Sequence, residues 1–128
     1  MALTMRPGWA MTPREMKART KRFAVEVIKL CRDLPATIEG RVIAGQLVRA
    51  GTSVAANYRS ACRGRSRAEF IAKLGVVLEE SDESLLWLEV IVDANVLPQS
   101  RVDRVLREAD ELTAIFTTAI KTARGNSA

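Results

Sequence analysis

The chain has 128 residues, with 20 Lys and Arg against 15 Asp and Glu, a net charge of +5 and a pI near 9.8. That length fits one domain able to bury a core without covalent staples, and the basic balance favours an anionic partner or surface. Histidine is absent, which removes the commonest general base, the commonest metal ligand and the usual neutral-pH switch together.

Residues 1–11 have no hydrophobic period and contain the breaker pair Pro7-Gly8, so they read as a flexible tail, with Trp9 and Met11 able to dock on a neighbour. They lack the continuous apolar run of a signal peptide. The longest apolar run, Leu85 to Val92, is too short to span a bilayer and contains Glu89. The expectation is a cytoplasmic protein with no membrane partner. Cys31 and Cys62 stand on different expected helices, without a C-x-x-C pairing, and read as buried, reduced thiols.

Thr12-Pro13-Arg14-Glu15 opens the first helix. Thr12 suits the cap, Pro13 the first helical position, and Glu15 closes a capping box. Phe23, Val27, Leu30, Cys31 and Leu34 give its buried face, and Pro35 stops it. Its first half is basic, with Arg14, Lys17, Arg19, Lys21 and Arg22.

Thr37 caps the second helix, whose residues separate cleanly by angle. With Arg41 at zero and about 100° per residue, Arg41, Arg49, Arg59 and Arg63 fall within roughly 80°. Ile43, Leu47, Ala50, Val54, Tyr58 and Ala61 lie on the opposite side. Ala44, Val48, Gly51, Ala55 and Cys62 form a small-residue strip beside them. Gly45 and Gly51 each cost about 1 kcal/mol relative to Ala in a helix. Close approach of another helix against Ala44, Gly51 and Ala55 is the expected compensation. Gly64 is expected to end the helix in the left-handed conformation.

Ser66-Arg67-Ala68-Glu69 reads as a second capping box, starting the third helix at Arg67. Phe70, Leu74, Val77, Leu78, Ser81, Leu85, Leu88 and Val92 make its core stripe, and no basic residue occurs from Gly75 to Ser100. Asn95 and Pro98 mark the next turn. Ser100 is the expected cap of the fourth helix, with Asp103 in the box position. Val102, Val105, Leu106, Ala109, Leu112, Ile115, Phe116, Ala119, Ile120 and Ala123 repeat at helical spacing. Residues 125–128 read as a frayed end. Short connections force antiparallel neighbours, so residues 12–124 are expected to form an all-α, up-down-up-down four-helix bundle.

The run R-A-G-T-S-V-A-A-N-Y-R-S-A-C-R-G-R-S-R-A-E-F over 49–70, then K-L and E-E-S-D-E, resembles the bacterial four helix bundle protein family. Its relatives include proteins encoded in intervening sequences of large-subunit rRNA genes and the accessory protein of diversity-generating retroelements. The resemblance spans roughly residues 12–124. It implies a bundle assembled into a ring, typically a homopentamer, with a basic surface. Many relatives carry N-I-A-E-G where this chain has Asn57-Tyr58-Arg59-Ser60-Ala61, so no role of that glutamate is carried over.

Two surfaces stand out as candidate sites. Arg41, Arg49, Arg59 and Arg63, extended by Arg65 and Arg67, form a candidate RNA or DNA backbone track, because guanidinium binds phosphate through paired hydrogen bonds. The competing reading is a solvated face, or arginines paired with acids of the third helix in the same or another subunit. Leu86, Trp87, Val90 and Ile91 are left over from the third-helix stripe and point to self-association. Glu79, Glu80 and Glu83, with Asp82, are read as salt-bridge partners across that interface rather than a metal site. No catalytic residue, metal site or cofactor is expected. The reading is a non-enzymatic oligomer binding nucleic acid, or alternatively a scaffold that docks a partner protein.

Overall fold

The computed structural model describes residues 11–125. The expected tail and frayed end therefore lie outside the described residues, apart from Met11 and Gly125. Four helices follow in order: α1 (Pro13–Cys31), α2 (Ile38–Cys62), α3 (Arg67–Asp93) and α4 (Gln99–Ala123). Each packs on its neighbour in sequence, and α1 meets α4 through the thinnest contact. The result is the antiparallel four-helix bundle that the short connections require.

Local chemistry accounts for three of the four starts. Thr12 accepts from the Glu15 N–H at 3.1 Å, and the Glu15 carboxylate accepts from the Thr12 N–H at 2.8 Å. Thr37 accepts from the Gly40 N–H, and Ser66 from the Glu69 N–H. The fourth start departs from expectation. Pro98 holds the cap position in extended geometry, with no side-chain hydrogen bond, and Ser100 already lies inside α4. The fixed proline ring turns the chain directly into the helix, where exposed Gln99 and Ser100 can meet water instead of a hydroxyl cap.

Gly64 is a second correction. Among the described residues, positive φ occurs only at Asn95 and Gly125. Glycine at 64 answers crowding instead, because a Cβ there would lie 3.1 Å from the Ala61 carbonyl oxygen and 3.3 Å from the Phe70 nitrogen. The expected close approach at Gly51 is present: a Cβ would lie 2.9 Å from a Val27 methyl of α1.

The α2 stripe is buried as its angles predict, from Ile43 through Ala61. The α3 stripe is rotated. Leu74, Val77, Ser81, Ser84, Leu88 and Ile91 are the buried positions, alternating steps of three and four residues. A 3.5-residue period is what helices crossing at a shallow left-handed angle bury, and it drifts from the 3.6-residue stripe over 27 residues. Ser84 and Ile91 therefore face inward, while Leu85 and Val92 are only half-buried. Ser81 and Ser84 satisfy their hydroxyls on the carbonyls of Leu78 and Glu80.

Candidate nucleic-acid interface

Antiparallel packing sets the start of α1 beside the end of α2, where the turn into α3 also lies. Residues 13–22, 59–73 and 117–125 carry twelve Lys and Arg against two Asp and Glu. At this end a depression of about 680 Å³ opens between Lys21 of α1, Arg59 and Arg63 of α2, and Arg65 of the turn. Small residues Thr52, Ala55, Ala56 and Ser60 also line it, as does Glu69. The Thr52 hydroxyl is turned to the Val48 carbonyl at 2.7 Å. Small lining residues leave the cations standing around an open surface. None of the four forms an ion pair among the described residues. Unopposed guanidinium and ammonium groups around a shallow depression are suited to phosphate oxygens.

The six candidate arginines meet different fates. Arg59, Arg63 and Arg65 are brought together. Arg41 is exposed but lies in the first turn of α2, at the opposite end. Arg49 binds Glu83 at 2.6 Å and approaches Glu80 at 3.8 Å, within one chain. Arg67 gives its Nε hydrogen to the Ala123 carbonyl at 2.6 Å, closing the end of α4. Lys21 was not among the candidates. The basic first half of α1 is visible in sequence, but which cation meets α2 depends on how the helices cross.

The candidate interface residues divide as well. Ile91 is fully buried in the chain's own core and is corrected from a leftover position to a core one, for the reason of period given above. Trp87 and Val90 are half-buried against the core, and Leu86 is 50% exposed. The Trp87 Nε1 and Glu80 Oε1 atoms are buried without a hydrogen-bond partner among the described residues. Glu80 and Glu83 serve Arg49 inside the chain, whereas Glu79 is exposed. Glu79, Asp82, Leu86, Glu89 and Asp93 form one exposed stripe whose carboxylates make no ion pair among the described residues. That face repels a polyanion.

The thin α1–α4 seam is closed by charge. Arg19 bridges Glu108 and Glu111, each at 2.7 Å, while Arg104 pairs with Glu26 and Arg101 with Asp33. Hydrogen bonding to Glu108 holds the Arg19 guanidinium even more firmly protonated than usual. Burial pushes the Cys31 thiol up to about 11, and burial followed by its contact with Cys62 raises the Tyr58 phenol. The Cys31 thiol and the Tyr58 phenol are therefore neutral at pH 7. Among the described residues no three His, Cys, Asp or Glu side chains are arranged to hold a metal, and no helix is long and apolar enough to cross a membrane.

These features define a small all-helical bundle with one cationic end and an acidic flank on α3. The chain belongs to the 23S rRNA-intervening sequence protein family, whose pattern it matches over residues 14–118. It is similar to a Bacteroides thetaiotaomicron protein of unknown function from the S23 ribosomal protein family, solved at 1.70 Å. The two are 30% identical with a TM-score of 0.76, over 82% of this chain and 97% of that one. No curated protein sequence matches this chain. Neither description names an enzymatic activity.

Proposed function

We propose that this protein is a non-enzymatic helical module that binds RNA or DNA by its phosphate backbone at the cationic end of the bundle. The observation that carries this reading is the convergence of Lys21, Arg59, Arg63 and Arg65, from three segments of the chain, without paired carboxylates among the described residues. The acidic stripe of α3 orients the protein, because a backbone meeting it is repelled. A chain without histidine has few routes to acid–base chemistry, which supports binding rather than catalysis.

The test is affinity for a labelled oligonucleotide at about 50 mM salt, where phosphate contacts are strongest. Arg59→Glu/Arg63→Glu should lose affinity by more than about tenfold, because two contacts become two repulsions. Arg41→Glu, at the far end, should change it little. Equal affinities for wild type and the double variant would sink the proposal.

A second reading concerns assembly. Ile38, Val42 and Leu86 are exposed by 78%, 54% and 50%, with Trp87 and Val90 half-buried on α3. Apolar exposure of this kind supports self-association through α2 and α3, into the ring that the family resemblance implies. Such an assembly would repeat the cationic end around an axis, or dock a partner protein. Light scattering of wild type and Val42→Glu/Leu86→Glu tests it. A monomeric wild type would refute it.

A further inference from the structure

Described aromatic residues are absent from the cationic depression. Phe23, Tyr58 and Phe116 are in the core, with the Tyr58 and Phe116 rings 5.7 Å apart. Phe70 is packed against that core, and Trp87 lies on α3 beyond the acids that hold Arg49. The depression itself offers only four cations, two hydroxyl residues, two alanine methyls and Glu69. A single strand gains much of its affinity by stacking its bases on aromatic side chains. Among the described residues, this surface gives a base no aromatic ring to stack on. A double helix needs no such platform, since its bases stack on each other and its phosphates face outward at high density.

Arg59 lies in the last turn of α2 and Arg63 caps its end, four residues on, a rise of about 6 Å. Lys21 is held beside them by α1, whose Val27 packs against Gly51.

We infer that the ligand of this surface is a nucleic-acid duplex, bound by its phosphodiester backbone, in preference to a single strand. This rests on the backbone-binding function proposed above. Counterion release alone sets the scale. Slopes of about 0.9 per contact for duplex and 0.7 for single strand, over four contacts at about 50 mM salt, favour the duplex about tenfold.

The experiment compares the full chain on three labelled ligands: a 24-nucleotide oligouridylate, a duplex RNA and a duplex DNA of about the same length, by fluorescence anisotropy at about 50 mM salt. Expected is duplex binding about tenfold tighter than oligouridylate, with Arg59→Gln/Arg63→Gln weakening it. The two duplex arms identify the source of the backbone, and tight binding of either supports the inference. Oligouridylate bound as tightly as both duplexes, or more tightly, overturns the inference while leaving backbone binding intact. No binding to any of the three overturns both.

Discussion

Gly51 and Gly45 lie on the same helix and offer a controlled comparison. A Cβ at Gly51 would fall 2.9 and 3.0 Å from the two Val27 methyls and 3.1 Å from Val27 Cβ, whereas at Gly45 it would meet nothing within 4 Å. Two effects therefore oppose each other in Gly51→Ala. Helix propensity favours alanine by about 1 kcal/mol. Overpacking against fully buried Val27 costs about 1–3 kcal/mol. Gly45→Ala keeps the gain without the crowding. Subtracting one variant from the other cancels propensity, so the two should differ by about 1–3 kcal/mol, with Gly45→Ala more stable than wild type. Urea unfolding at an unchanged m-value measures this. Val27→Ala should cost less in the Gly51→Ala background than in wild type, by about 1 kcal/mol, because it relieves the same crowding. Equal gains from both glycine substitutions would refute the close approach. They would also remove the reason for placing Lys21, less than two turns away on α1, beside Arg59.

Ile91→Ala should cost about 2–5 kcal/mol in urea unfolding as a core truncation, while Leu86→Ser should stay within about 0.5 kcal/mol for the lone chain. Arg19→Ala removes the half-buried clamp between Glu108 and Glu111, and should destabilise by about 2 kcal/mol while leaving oligonucleotide affinity unchanged. Arg49→Gln should change stability by less than about 1 kcal/mol, since its pair with Glu83 is solvent-exposed, and should alter binding much less than Arg59→Gln. The Cys31 thiol is raised from the ordinary value of 9.0 to about 11, so the folded state favours the neutral form. Its stabilising contribution is present below pH 9 and is lost as the pH rises toward 11, where the unfolded chain gives up that proton first. Thiol modification at Cys31 should be slow at pH 8 and accelerate only above pH 10, read by mass spectrometry.

What the sequence made legible, and what it did not, follows from how local each determinant is. Caps at Thr12, Thr37 and Ser66 act within four residues, and each was readable. The α2 stripe was readable because Arg, Ala and aliphatic positions separate by angle on one helix. The α3 stripe is ambiguous in sequence because leucines and valines occupy several of its faces, and only the crossing angle decides that Ile91 and Ser84 turn inward. Lys21 is hidden for the same reason: its neighbour across the groove is fixed by the Val27–Gly51 contact, which joins residues on two helices. The crowding that calls for glycine at 64 is invisible until Phe70 of α3 is in place.

The division of the arginine row has a physical cause that was already present in the angles. Arg49 lies at the edge of the roughly 80° arc, and that edge faces α3. Glu80 and Glu83 lie on the neighbouring face one turn apart, so they capture the one arginine within reach. Arg59 and Arg63 sit nearer the α1 side, level with the part of α3 that carries Lys73 and only Glu69 as an acid. After Glu69, the next acid of α3 is Glu79, ten residues on and past the level of the depression. Charge on α3 therefore neutralises the middle of the row and leaves its end free. A substitution that moved an acid one or two turns toward the start of α3, such as Lys73→Glu, should weaken oligonucleotide binding without touching the four cations. An unchanged affinity in that variant would mean that the backbone does not engage this end of the bundle.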